Sequence, residues 1–446
     1  MPNAKSPTRT TAALACVAIA LFLVGAAAQA QTLTWGVNGA GGSGTWNTST
    51  ANWFNGAQNV KWASGADAIF SGASGGEVTP SGPVVTSMTF NQPGYLFKSG
   101  WIDSGINGLT VTTNVDATIN SSLHSGVGDF LVKNGPAALI LGGHCDLAQV
   151  QLNQGELRLT GNGSLSGSLS LADSPGASVT FGQSSSNVYL DGLAGGGTSG
   201  GVVRPDNQAR TVSLSIDAGD TFGGVLQDNG SGILAVSISS PTGDPVQTFT
   251  NANTYSGLTR VFGKLALSGN GSALNSPMSI DGTLTLDNGS GVSADRLSDS
   301  LPISMRHGDI ELKGNNATAV EEVAGPLTIS SVSRITVTQP GSAAAQLSFA
   351  SVQRTGQAIL NLVGEGVGIA GLSNDSSGIV APFITMGNEW TTVGVDGRIT
   401  TFNGYTPDVN AGAPSDHVKL SGSGTTVLTA PTTRASMNMQ NASAAG

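Results

Sequence analysis

Charge is scarce in these 446 residues, with Asp, Glu, Lys and Arg together only 10%, against roughly 25% in an ordinary soluble domain. Intrinsic disorder needs high charge and few aliphatic residues, and with 39% hydrophobic residues this chain is the reverse. Cysteine is nearly missing too, since Cys16 and Cys145 are all there are. That excludes a disulfide framework. Windows rich in Ala, Leu, Glu, Lys and Arg are lacking beyond the first thirty residues, which excludes a helical protein. Glycine is abundant, at 64 residues, about twice the usual ~7%. It has no three-residue period, so collagen is excluded. What remains is a long all-β chain.

The first thirty residues are of another kind. Lys5 and Arg9 precede an apolar run from Ala12 to Ala27, and Ala28-Gln29-Ala30 stands before Gln31. This is the pattern of a Sec-type secretory signal over residues 1–30. The run of about 16 residues falls short of the ~20 that a membrane-spanning helix needs. Cys16 stands at its start, not its end, which argues against a lipidated cysteine. Cleavage would remove Lys5, Arg9 and Cys16, deepening the net charge of −10 by two and leaving Cys145 alone. An acidic surface repels polyanions, so nucleic acid is excluded as a partner. The mature chain is expected to carry no transmembrane segment.

Beyond residue 31 apolar residues alternate with polar ones: Leu109-Val111-Thr113, Leu157-Leu159, Leu169-Leu171, Val212-Leu214-Ile216, Leu265-Leu267, Leu284-Leu286 and Ile335-Val337. Period 2 buries one face of a strand and wets the other. Turn dipeptides such as Asn134-Gly135, Asp191-Gly192, Asn270-Gly271 and Asp396-Gly397 punctuate these strands. A single sandwich or barrel closes well before this length, whereas a solenoid has no such limit. The expected fold is an all-β, mainly parallel β-solenoid (β-helix) of on the order of 15 coils. Tandem β-sandwiches are the alternative. Residues 31–105 read as a Trp-rich N-terminal cap with the first coils, 106–429 as the solenoid, and 430–446 as a polar, disordered tail. Beyond Leu428 that tail has no aromatic residue, only Met437 and Met439, so it is not expected to cap the stack.

An internal echo supports the solenoid. Gly155-Glu156-Leu157-Arg158-Leu159-Thr160-Gly161-Asn162-Gly163-Ser164 returns 108 residues later as Gly263-Lys264-Leu265-Ala266-Leu267-Ser268-Gly269-Asn270-Gly271-Ser272. A weaker version, residues 282–290, follows 19 later. Asn253-Thr254-Tyr255-Ser256-Gly257-Leu258-Thr259-Arg260-Val261, followed by Gly263-Lys264-Leu265, resembles the autotransporter-associated β-strand repeat. Asp220 to Leu226, Phe383 to Met386, Asp396-Gly397 and the loop holding Tyr405 are similar to other segments of such proteins. So is the cluster Thr34-Trp35, Thr45-Trp46, Asn52-Trp53 and Asp67 to Phe70. The resemblance implies a right-handed parallel β-solenoid of passenger type, exported by a Gram-negative-like bacterium to its surface or outer membrane. It does not extend to a translocating barrel, which would need many ~10-residue alternating strands after the passenger.

No catalytic constellation emerges. Gly39 to Gly44 and Gly366 to Gly371 fit the dinucleotide pattern, but no helix N-terminus follows to face a pyrophosphate. Gly163 to Gly167 and Gly197 to Gly201 match the nucleophile elbow without its strand-to-helix turn. His124, His144, His307 and His417 form no metal-spaced pair, and His144-Cys145 would split across the faces of a strand. Glu321-Glu322 splits likewise, so no carboxylate pair faces one sugar. No catalytic, cofactor or metal residue is expected. The outstanding local feature is tryptophan: Trp35, Trp46, Trp53, Trp62 and Trp101 lie within 67 residues, and the sixth is Trp390. They read either as a cap over the first coil or as an aromatic platform for a ligand. The expected function is structural or adhesive, secreted or at the cell surface, toward extracellular glycans or cell-surface proteins. The alternative is a polysaccharide-binding protein or a polysaccharide-degrading β-helix enzyme.

Overall fold

The computed structural model describes residues 31–440 apart from 106–107, 125–129, 147, 164, 166, 240–244, 294, 408, 411–412, 422–433 and 435. Residues 1–30, read above as a signal and including Cys16, and most of residues 430–446 lie outside the described residues. Over the rest the chain is an all-β parallel solenoid of about 13 turns. A 3-10 turn at Val37–Gly39 is its one helical element among the described residues.

The alternating segments explain the stacking. Leu109, Leu131, Val150, Leu169 and Leu193 stand in register on five successive coils. All are at most 1% exposed. No coil could bury such a face alone; each does so against its neighbours. After a longer first coil, the ladder containing these residues advances by as few as 18 residues, Val246 beside Lys264, and as many as 27, Thr221 beside Thr248. A 9-stranded sheet running from Gly44–Trp46 to Val225–Leu226 forms a second side. An 8-stranded sheet begins at Asn187–Leu190 and runs to Val352–Arg354. The cross-section therefore changes near the middle of the stack. The weaker sequence echo is one coil, since Leu265 lies beside Leu284 and Leu267 beside Leu286. The stronger one joins different sides: Glu156–Gly161 belongs to the 9-stranded sheet and Lys264–Ser268 to the long one.

Corners are held by asparagine and glycine. Asn114 donates to Asn91 at 2.7 Å and Asn153 to Asn134 at 2.9 Å, linking turns one coil apart. Gly135 has φ +82°, and a Cβ there would lie 2.4 Å from the Thr113 carbonyl oxygen of the preceding coil. Gly135→Ala is therefore expected to destabilise the chain by at least about 2 kcal/mol. A lower urea midpoint would show it; an unchanged midpoint would mean the corner relaxes freely.

The long sheet ends in antiparallel strands at both ends. At the first, Trp53 pairs antiparallel with Trp35 and with Val60. At the other, the parallel ladder stops at Ile384–Met386, within the 106–429 span read as solenoid. Glu389–Val393 and Ile399–Thr401 then fold back antiparallel. Gly397, at φ +79°, makes the turn between these two strands, and the Tyr405 hydroxyl accepts from Trp390 N at 2.9 Å.

Candidate functional site

The structure brings four of the five clustered tryptophans together and leaves the fifth apart. Trp35, Trp46, Trp53 and Trp62 are at most 4% exposed. Trp46 packs 4.8 Å from Trp62, 5.1 Å from Trp53 and 5.6 Å from Phe70, centroid to centroid. Phe70 in turn stacks on Phe90 at 5.0 Å, carrying the aromatic core into the next coil. Trp101 is 44% exposed, on the outer side of the Trp101–Asp103 strand. Its ring lies parallel to that of His124 at 6.4 Å and covers Gly82, where a Cβ would come within 2.8 Å of the indole nitrogen.

The Asn253-to-Val261 motif is a buried corner. Asn253 Oδ1 accepts from Leu226 N at 2.9 Å, while its Nδ2 donates to the Ser272 carbonyl at 3.1 Å, so one amide joins three coils. The Tyr255 hydroxyl bonds Thr259 Oγ1 at 2.7 Å, and Thr259 bonds Ser276 of the next coil at 2.7 Å. Burial pushes the Tyr255 hydroxyl up to about 12. Asn253, Tyr255 and Thr259 thus hold coils together, while Thr254, Ser256 and Arg260 are exposed.

Charged side chains inside the coil are what sequence reasoning missed. Lys133 donates to the carbonyls of Asn134, Gly135 and Gln154 at 2.8–2.9 Å. Arg296 reaches the carbonyls of Gly271 and Asp287 at 2.8 and 2.9 Å, and Glu322 accepts from the backbone N–H groups of Arg296 and Leu297. All three are 0% exposed. A signal was present: Lys133 shares the parity of Leu131, and Glu322 that of Val320 and Ala324.

Two of the open grooves on the outer faces are rich in charged side chains. One, of 530 Å³, lies over Lys264, Thr285, Asp309, Glu311, Lys313 and Arg334 on the long sheet. Arg334 pairs with Asp309 at 2.6 Å and Lys313 with Glu311 at 3.9 Å. The other, of 510 Å³, lies on the 9-stranded sheet over Glu156, Arg158, Thr180, Arg204 and Asp206. There Glu156 accepts from Arg158 and from Thr180, each at 2.6 Å, and Arg204 stands 3.6 Å away. Burial works against ionisation of Glu156, but the bonds from Thr180 and Arg158 and the charges of Arg158 and Arg204 hold its carboxyl below the ordinary value. A glycosidic general acid needs the opposite shift. Glu322 has that shift, to about 7, but is sealed inside the coil. Among the described residues no group of three or more His, Cys, Asp or Glu is placed to hold a metal ion.

Comparison with known proteins gives one line of kinship. The chain is 30% identical over 292 residues to the adhesin BmaC autotransporter of Brucella suis biovar 1 (strain 1330). The match covers 62% of this chain and 8% of that protein, so the chain spans under a tenth of the length of the relative it matches. The two are distantly homologous. No family model matches, and no solved structure does.

Proposed function

We propose that this chain is a non-enzymatic adhesive segment of passenger type, carried out of the cell by the signal at residues 1–30 and displayed at the surface of a Gram-negative bacterium. The observation that supports this most is the division of labour across the coil. Inward positions are filled by stacked Leu, Val, Ile and Phe. Outward positions offer ladders of Ser, Thr and charged side chains, such as Lys264 beside Thr283, Asp309 and Arg334 on successive coils. A rigid stack presents many such contacts at fixed spacing, so weak individual contacts act together with little ordering cost. Kinship with part of an adhesin points the same way. In this reading residues 31–105 cap the first coils and 106–429 carry the displayed faces toward extracellular glycans or cell-surface proteins. No helix among the described residues is long and apolar enough to cross a membrane.

Beads coated with residues 31–446 should adhere to glycan-coated glass, to cultured cell layers, or to both, well above albumin-coated beads. Adherence at the albumin level on every surface would sink the reading.

A further inference from the structure

We propose that the groove over Glu156, Arg158, Thr180, Arg204 and Asp206 binds a uronate residue of an acidic glycan, an inference that rests on the adhesive reading and names its ligand class. The argument begins with register. Arg158, Thr180 and Arg204 lie side by side on three successive coils of the 9-stranded sheet. At ~4.8 Å per coil the two arginine Cα atoms are about 9.6 Å apart. Both side chains reach solvent, Arg158 at 43% exposure and Arg204 at 32%, while the Glu156 carboxylate between them is 16% exposed.

Charge is unbalanced at this spot. One carboxylate, Glu156, serves two guanidinium groups. The third arginine, Arg210, pairs with Asp206 at 3.2 Å and also donates to the Gln183 carbonyl. Arg210 does not line the groove, but because it pairs with Asp206, the cluster as a whole holds three arginines against two acids, a local exception in a chain of net charge −10. A single carboxylate from a ligand would complete the set. Guanidinium suits it, because its planar fork binds a carboxylate through two parallel N–H bonds. Each guanidinium has five N–H donors. Arg158 directs one to Glu156 and Arg204 one to Thr180, so donors remain on both.

The rest of the groove suits a sugar. Gly182 is the fifth of the six residues of the Ser178–Gln183 strand, and a Cβ there would crowd the Leu159 carbonyl at 3.0 Å and Asp206 at 3.4 Å. A glycine inside a strand marks a place of close approach, and here it keeps the floor bare. The rim is made of amides that are already fixed: Asn207 Oδ1 accepts from Ser231 N at 2.9 Å, and Asn229 Nδ2 donates to the Pro205 carbonyl at 3.1 Å. With Gln208 beside them they offer donors and acceptors for hydroxyl groups. The 530 Å³ groove is lined by three bases and two acids, but two of its cations are lysines, compact and strongly hydrated. It provides the control.

The test is calorimetric titration of residues 31–446 with a hyaluronan hexasaccharide and with its carboxyl-reduced counterpart, at low salt. The acidic form should bind and the reduced form should not. Combining Arg158→Gln with Arg204→Gln should weaken binding at least tenfold, whereas combining Lys313→Gln with Arg334→Gln should leave it within twofold. Removing both arginines strands Glu156, so Arg158→Lys with Arg204→Lys serves as the variant that keeps the charge and the fold; losing the forks should still weaken binding several-fold. Absence of hyaluronan binding overturns the inference. So does equal binding of the reduced form, or equal loss in the two grooves. Adherent beads of a chain that does not bind hyaluronan would leave the adhesive reading standing and this one fallen. Beads that adhere to nothing would remove the adhesive reading itself.

Discussion

Trp46→Ala should cost about 3–5 kcal/mol, the range for deleting a large aromatic from a packed core. The indole is 0% exposed and lies within 6.2 Å of Trp53, Trp62, Phe70 and Phe97. Its removal opens a cavity bounded by four other rings, which cannot all move in to fill it. The effect should also be local. In a solenoid each coil contacts only its neighbours, so the loss falls on the first coils and fades along the stack. Amide exchange in Ala66–Phe70 and Val85–Phe90 should quicken by orders of magnitude, while Asp309–Lys313 keeps its protection. The freed edge of the long sheet would then favour association between chains, visible as light scattering that rises with concentration. Trp101→Ala is the control, since its exposed ring fills no cavity and its loss should leave exchange in those strands unchanged. Equal effects of the two substitutions would remove the distinction between the buried cluster and the outer tryptophan.

The strands of this fold are legible because one rule makes them. Leu109-Val111-Thr113 becomes Leu109–Thr113, and Val212-Leu214-Ile216 lies in Thr211–Ile216, both with alternate residues buried. Parity says which side chains point inward. It does not say which side of the coil a strand occupies, because that depends on how many residues each corner takes. That is why the strands Glu156–Gly161 and Lys264–Ser268, from two segments with seven identities in ten positions, land on different sheets. The outer groove was hidden for the same reason. Arg158 and Arg204 are 46 residues apart in the chain, and only the coil lengths between them bring them to one face. Lys133 and Glu322 obey parity but break its chemical expectation, since a Lys or Glu at an inward position reads as a strand boundary unless its backbone partners are known.

Glu322 supplies the other large effect, and its sign can be worked out. Burial raises its carboxyl from 4.5 to about 7, against the bonds from Arg296 and Leu297 N–H and the charge of Arg296. A carboxyl whose pKa is higher folded than unfolded favours the folded state when protonated. Its contribution is whole below pH 4.5 and is lost as pH rises through 7. At 1.36 kcal/mol per unit the loss is roughly 3 kcal/mol. Glu156 and Asp375 are shifted the other way, so their contributions change from the ordinary carboxylate range downward. Lys133, lowered by burial to about 8, gains stability only from the top of this window upward, opposite in sign to Glu322. Wild type should therefore be less stable at pH 8 than at pH 5, read from exchange of the Arg296 and Leu297 amides. Glu322→Gln keeps an oxygen that can accept from both N–H groups and cannot ionise, so its protection should be flat across the same window. Glu322→Ala leaves both donors buried without that acceptor, at about 1–3 kcal/mol each, and should lose protection at every pH. The same pH slope in Glu322→Gln as in wild type would assign the slope to other groups and leave Glu322 as a hydrogen-bond acceptor alone.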